Sequence, residues 1–229
     1  MAGLGKLWTA PLVLWAALSG SAWGQTIFPP GSGIDLAGGS FILPCSAVIM
    51  QGELTLGAGT LDTGSFTFGS GATVTGTGGQ LIVGGDLTST DPLSLNTTNV
   101  VLSDACAPGS TLQLSGHITV NDLTLTGVGP TPPTIVLPAG TNLTVLGTLT
   151  LGSPGNPVVL TSSGPGIAVV TMGPLATLVN PSGSVVPANV RIGPPPPAPV
   201  PTLATYGLML MSLLLGALAI HRLRRTSLF

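Results

Sequence analysis

The residues of this 229-residue chain best suited to chemistry are its seven acidic side chains, which all lie between Gln25 and Val200. Three of them, Asp86, Asp104 and Asp122, follow one another at equal steps along the chain. If every coil of a repeating fold had the length of that step, the spacing would stack the three carboxylates on one face. Paired carboxylates can act as general acid and base on a glycosidic bond, and carboxylate oxygens are ligands that Ca²⁺ prefers.

The residues around these acids favour a structural role instead. Asp86 follows two glycines and Asp91 precedes a proline, and in such turn contexts Asp accepts hydrogen bonds from nearby backbone. An enzyme that cleaves acidic sugars would also need a cation near its substrate, and Arg191 is the only Lys or Arg in this part of the chain. We therefore predict no catalytic residue, no enzymatic activity and no cofactor. A calcium-binding or glycan-binding ladder at the three equally spaced aspartates is the alternative.

Charge and histidine content exclude further classes of function. Between Gln25 and Val200, seven acids against one arginine give a formal charge of −6, with no lysine. An acidic surface cannot displace counterions from a phosphate backbone, so we expect no nucleic-acid partner. His117 is the only histidine in this stretch, which leaves neither a Ser-His-Asp triad nor a His-rich metal site.

The elements that must position these residues are short segments of alternating apolar and polar residues. QLIV, HITV, DLTL and TLTL place Leu, Ile or Val at every second position, a pattern typical of half-buried strands. Glycine separates most segments, and the sequence contains no Asn-Gly or Asp-Gly hairpin signal. We predict an all-β body over residues 25–193, built as a parallel β-helix (β-solenoid) of about eight coils of roughly 18–22 residues. A β-sandwich is the alternative.

One stretch supports this architecture by resemblance. Residues Thr134 to Gly164 carry Gly147-Thr148-Leu149, a turn of small residues, Asn156-Pro157-Val158 and then Thr161-Ser162. This order resembles a recurring pattern of bacterial right-handed parallel β-helix surface proteins. The resemblance implies stacked parallel coils of short Gly/Thr-rich strands.

Two cysteines, Cys45 and Cys106, are 61 positions apart, about three coils. On a regular stack, matching positions three coils apart are separated by ~14 Å, whereas disulfide-bonded Cα atoms lie within about 7 Å. A regular solenoid would therefore separate the two cysteines unless a loop folds across, and a disulfide would count against regular coils. The sequence leaves the pairing open.

The N-terminal segment, up to Gly24, has the organisation of a secretory signal peptide. Lys6 precedes an apolar segment from Leu7 to Leu18, and Ala22 and Gly24 are small residues spaced for cleavage after Gly24. We predict export through the Sec translocon and removal of residues 1–24, as a signal helix, by signal peptidase. Export also permits a disulfide.

The other end of the chain combines a stiff spacer, an apolar segment and a basic cluster. The run PPPPAPVP predicts an extended linker over residues 194–201, and the apolar segment predicts a transmembrane helix over 206–220. Three arginines follow this segment: Arg222, Arg224 and Arg225. Basic residues remain on the cytoplasmic side of a membrane, so we expect 226–229 in the cytoplasm and the β-domain outside. A plain single-pass membrane anchor is the simplest interpretation of this arrangement.

The order of these parts, over residues 200–225, resembles the bacterial IPTL-CTERM sorting signal, a relative of PEP-CTERM. The motif positions are Val200, Pro201, Thr202, Leu203, Tyr206 and Gly207. The family pattern is Ile-Pro-Thr-Leu-Ser-x-Trp-Gly, so Val200, Ala204 and Tyr206 stand where the family has Ile, Ser and Trp. The resemblance implies that an exosortase-type transpeptidase in the inner membrane of a Gram-negative bacterium processes the chain near this motif and passes it to the cell surface or matrix.

These features together predict an exported, non-enzymatic surface or matrix protein with a structural or adhesive role. A stacked surface of Thr, Asn and Asp would bind glycans or matrix proteins. The alternatives are an exported β-helix enzyme that acts on polysaccharide, and a single-pass membrane-anchored protein that keeps its C-terminal residues.

Overall fold

The computed structural model describes residues 24–194 and 211–213, and the first of these ranges is an all-β parallel solenoid of about eight coils. Every pairing between its strands is parallel. The predicted all-β parallel solenoid and its coil number are confirmed. The β-sandwich alternative is wrong, because no antiparallel hairpin joins the strands in the described part of the chain.

The strands form three sheets. The seven-stranded sheet contains β1 (Gln25–Phe28), β4 (Ala47–Met50), β7 (Phe66–Phe68), β10 (Leu87–Ser89), β12 (Thr111–Ser115), β14 (Thr134–Pro138) and β17 (Val159–Ser163). The three-stranded sheet contains β2 (Gly33–Asp35), β5 (Glu53–Thr55) and β8 (Thr73–Thr75). The ten-stranded sheet contains β3 (Ser40–Leu43), β6 (Thr60–Thr63), β9 (Gln80–Val83), β11 (Leu93–Ser103), β13 (His117–Thr126), β15 (Asn142–Val145), β16 (Thr148–Leu151), β18 (Ala168–Met172), β19 (Thr177–Val179) and β20 (Val190–Gly193).

Each coil presents three outer faces in chain order. The first face is the seven-stranded sheet. The second face begins as the three-stranded sheet and continues through residues 93–95 and 117–120, then β15, β18 and β20. The third face consists of β3, β6, β9, residues 99–103 and 122–126, then β16 and β19. Between β8 and β11 the second face has no ladder pairing, and the Thr97 Oγ1–H instead donates to the Gly76 carbonyl at 3.2 Å.

The core is a column of apolar side chains that runs through the stack. In the third face, paired inward positions of successive coils are Leu61, Leu81, Val100, Leu123 and Leu149. None of these five side chains is more than 1% exposed. Burying such a side chain contributes about 1.5–3 kcal/mol, and each coil obtains this burial only from its neighbours. Period-two alternation therefore sets which side of every strand faces inward.

The coils differ in length along the stack. Val48 pairs with Phe66 after a step of 18, whereas Thr148 pairs with Thr177 after a step of 29. The predicted coil length holds on the third face up to Asn99, which pairs with Gln80, and is too short for later coils. Those coils contain longer loops between their strands, such as residues 127–133 between β13 and β14.

Cys45 and Cys106 form a disulfide, with their Cα atoms 5.2 Å apart. Cys45 lies in the turn between β3 and β4, and Cys106 lies in the loop after β11. The two intervening coils present Gly64 and Gly84 at this corner. A Cβ on Gly64 would lie 2.5 Å from the Cys45 carbonyl carbon, and one on Gly84 would lie 2.7 Å from the Cys106 Sγ.

The expectation that a disulfide would count against regular coils is therefore wrong. Both cysteines lie in turns outside the strands, and these turns pack over glycines that have no side chain to separate them. The backbone ladder continues beneath, since the Gly84 carbonyl accepts the Cys106 N–H at 3.1 Å.

Residues 211–213 belong to a separate unit; they are helical and exposed. The predicted signal peptide up to Trp23, the prolines from Pro195 onward, the sorting-motif positions and the three arginines lie outside the described residues, as does the rest of the predicted helix over 206–220. Among the residues that the structure describes, no helix combines the length and apolarity needed to cross a bilayer.

Candidate functional site: an outer polar column

The three equally spaced aspartates do not form a ladder. Asp86 directly precedes β10 on the first face, Asp104 directly follows β11, and Asp122 lies within β13 on the third face. The ladder, which was the alternative interpretation, fails because the coils here are longer than the spacing between these acids. Asn99 pairs with Asp122, a step of 23, and Leu87 pairs with Leu114, a step of 27.

Two of these carboxylates instead connect one coil to the next. Asp86 Oδ1 accepts the backbone N–H of Gln113 at 2.7 Å, and Asp122 Oδ1 accepts that of Thr148 at 2.6 Å. Hydrogen bonds to an ionised acceptor are stronger than neutral ones. Each carboxylate thus supports a backbone group of the following coil.

Asp104 serves the same purpose in the interior. Its side chain is fully buried, and its two oxygens accept the backbone N–H groups of Val128, at 2.8 Å, and Gly109. A buried charge is costly unless hydrogen bonds compensate it. These contacts hold the loop after β11 against the loop after β13, which is a structural role.

Other acids also contact nearby hydroxyl or backbone groups. Asp91 Oδ2 accepts hydrogen bonds from the Ser70 hydroxyl and the Gly71 N–H, both at 3.0 Å, and Glu53 Oε1 accepts one from the Thr75 hydroxyl at 2.8 Å. Within residues 24–194 and 211–213, no three His, Cys, Asp or Glu side chains are arranged to hold a metal ion. The geometry therefore gives no support to a calcium site at the three aspartates.

A different set of polar side chains does stack, on the third face, and we call it the outer polar column. It takes one residue from each of seven successive coils: Ser40, Thr60, Gln80, Asn99, Asp122, Thr148 and Thr177. Each member directly precedes an inward-facing residue of its strand, such as Leu61 after Thr60. Because successive side chains of a strand point to opposite sides, the members face outward, and none is buried.

Hydrogen bonds run along part of this column. The Thr177 hydroxyl donates to the Thr148 hydroxyl at 3.3 Å. The Asn121 amide, from the neighbouring position, donates to Asn99 Oδ1 at 3.3 Å and to Asp122 Oδ2 at 2.9 Å. Parallel strands lie about 4.8 Å apart, so the column offers donors and acceptors at a regular interval. This arrangement suits an elongated polar partner that lies along the stack.

Two shallow grooves lie elsewhere on the surface. One, of about 200 Å³, is on the second face and is lined by His117, Ser94, Thr119 and Asn142, among others. The other, of about 380 Å³, lies over turns of the first three coils, and Glu53 is the only acid that lines it. Neither groove contains the pair of carboxylates that glycoside hydrolysis requires.

The sequence predicted a stacked Thr, Asn and Asp surface but not which residues form it. The equal spacing of Asp86, Asp104 and Asp122 suggested that these three residues stack, but that inference requires every coil to have the same length. A usable signal was present: a polar residue stands directly before the inward-facing residue of third-face segments such as TLDT, QLIV, DLTL and TLTL.

Comparison with known proteins gives one match. The family model of the IPTL-CTERM motif matches residues 198–225, a range that includes the predicted motif positions and all three arginines. This match confirms the resemblance stated for the end of the chain. No curated protein and no solved structure matches the chain.

Proposed function

We propose that this protein is an exported, non-enzymatic component of the cell surface or extracellular matrix. The IPTL-CTERM motif at residues 198–225 carries the proposal, because such a signal implies export to the cell surface and processing at the C-terminus. The solenoid body would be the part that remains at the surface and acts there as a structural or adhesive element.

Delivery would proceed in two steps. The signal peptide would direct the chain through the Sec translocon, and the C-terminal apolar segment would hold the precursor in the inner membrane of a Gram-negative bacterium. An exosortase-type transpeptidase would then process the chain near Pro201 and release the body. The prolines at 194–201 would act as a spacer of about 3.1 Å per residue between body and membrane.

The geometry of the body supports a binding role without catalysis. Asp86, Asp104 and Asp122 each accept a hydrogen bond from a backbone N–H group, so each carboxylate already supports the fold. The outer polar column is long, regular and carries one acid, Asp122. Hydroxyl and amide groups in this arrangement suit glycans or matrix proteins as partners.

The intact mass of the protein recovered from its own cells tests this proposal. We expect the mature form to begin near Gln25 and to lack the residues after the motif, including Arg225. Replacing Pro201 with Ala should leave the precursor uncleaved at its C-terminus, since the residue lies within the motif. Pro195→Ala, in the preceding proline run and outside the matched residues, is the matched control and should be processed normally.

Recovery of native protein with Arg225 still attached would contradict the proposal and favour the plain membrane anchor. Cleavage of surface polysaccharide by the purified protein would contradict its non-enzymatic part. Loss of that cleavage in Asp86→Asn and Asp122→Asn, with the fold intact, would identify the acids responsible.

A further inference from the structure

The apolar core of the solenoid is open at both ends of the described stack. Phe41, in the first coil, is 37% exposed, although Leu61 beside it in the next coil is fully buried. At the other end, Leu178 is 50% exposed while Leu149 beside it is 1% exposed. These inward positions are exposed because no further coil of the described residues covers them.

Exposed large apolar side chains lie in the first coil and through the second half of the stack, where they include Val128 and Leu146. Ile27 and Ile42 lie in the first coil, and Leu175, Val179 and Val185 follow β18. Between residues 43 and 127, all of which are described, no large apolar side chain is exposed. Exposed positions that continue a buried core, as Phe41 and Leu178 do at the two ends, mark an interaction site.

The strands at both ends of the stack also have a free edge at which a further strand could pair. β1, β2 and β3 stand at the end of their sheets, and β19 and β20 stand at the opposite end. An unpaired strand edge is a template for another chain. Because all strands are parallel, the first coil of one copy could continue the last coil of another without any change of strand direction.

Charge distinguishes the two ends. Asp35 is the only charged residue between Gln25 and Ser46, and Arg191 is the only one between Gly173 and Pro194. Both are exposed, on β2 and β20, and both strands belong to the second face. Stacking the first coil of one copy on the last coil of another would bring opposite charges together on one face.

We propose that copies of this protein stack head to tail, with the first coil of one copy on the last coil of the next. The interface is heterologous, so it leaves one free end of each kind and produces open filaments. Contacts between like ends would place Asp35 near Asp35 or Arg191 near Arg191 and would reverse the strand direction. This inference is independent of the proposed sorting and function.

Charge exchange tests the proposal on the full chain, kept in detergent micelles in excess over protein. Sedimentation velocity over a range of concentrations should show a series of species that lengthens as concentration rises. Asp35→Arg and Arg191→Asp should each weaken association about tenfold, because each places like charges across the interface. The double variant, or an equal mixture of the two single variants, should restore it.

Asp62→Arg is the matched control, because it makes the same charge change on the third face of the second coil, away from the second face that carries Asp35 and Arg191. It should leave association unchanged. Unaltered circular dichroism and Tm will show that each variant is folded. If a charge-reversal variant does not fold, the milder Asp35→Asn or Arg191→Gln takes its place, and we expect it to weaken association about threefold. A single species at all concentrations, a series that ends at two copies, or a double variant as weak as the single ones would overturn the proposal.

Discussion

The coils before β10 and those after β11 stack in the same way but differ in the number of residues that each coil contains. On the third face, Ser40, Thr60 and Gln80 follow one another at equal steps of 20, and tight turns join their strands. Asp122, Thr148 and Thr177 follow at steps of 26 and 29. The difference lies mainly in the loops, because β14 to β19 contain three to five residues each and β1 to β9 contain three or four.

The longer coils use buried polar side chains to bond their backbone, whereas in the shorter coils such contacts lie at exposed turns, as between Asp91 and Gly71. Residues in a loop lose the ladder hydrogen bonds, and buried N–H groups must find other partners. Asp104 supplies one for Val128, and the Ser184 hydroxyl accepts the Val158 N–H at 3.0 Å and donates to the Leu151 carbonyl at 3.0 Å. Ladder pairing and exposed turn contacts therefore support the regular coils, and the irregular ones depend in addition on a few buried polar groups.

The shorter coils have a different additional support, the disulfide between Cys45 and Cys106. It links positions 61 apart in the chain, across the first coils of the stack. Two intervening glycines, Gly64 and Gly84, allow the close approach of the two turns. The disulfide constrains the unfolded chain, whereas the buried polar groups act in the folded one.

Removing the disulfide should have the largest effect and should act on the N-terminal coils. A closed loop of this length is worth about 4 kcal/mol, so Cys45→Ser with Cys106→Ser should lower the free energy of unfolding by about that amount. Chemical denaturation measures the loss, and hydrogen exchange locates it. If the strands after β12 lost as much protection from hydrogen exchange as those before it, the disulfide would not act mainly on the N-terminal coils.

Asp104→Ala should have the next largest effect and should act on the C-terminal side. It leaves the N–H groups of Val128 and Gly109 without their acceptor, at a cost of about 2–4 kcal/mol. Asp62→Ala removes the same charge from a half-buried outward position and should cost less than about 0.5 kcal/mol. Comparable losses of stability in both variants would show that charge, and not hydrogen bonding, makes Asp104 important.

Thr63→Val should have the smallest effect and the opposite sign. The Thr63 side chain is 1% exposed, and its hydroxyl has no hydrogen-bond partner among the described residues. Valine has the same shape without the hydroxyl, so the variant should be more stable by about 1 kcal/mol. Thr60→Val, on the outward side of the same strand, is the control, and a stabilisation as large there would mean that β-propensity explains the gain.

Some of the fold followed from local pattern. Alternation in QLIV, DLTL and TLTL identified strands β9, the second half of β13 and β16, and the absence of hairpin signals pointed to parallel stacking. The predicted coil length was too short in the second half of the stack, and the aspartate ladder that was the alternative does not form. A loop can lengthen without changing the strands on either side of it, so spacing along the chain does not report register.

The sequence by itself determined the strands, their inward sides and the sorting motif at the end of the chain, because alternation and a short linear motif are local properties. Only the tertiary structure decided that Cys45 meets Cys106, that Asp104 is buried between two loops, and which residues form the outer polar column. Those outcomes depend on how many residues each coil contains and on which turns cross a corner. That register is set by the packing of one coil against the next, and no single coil specifies it.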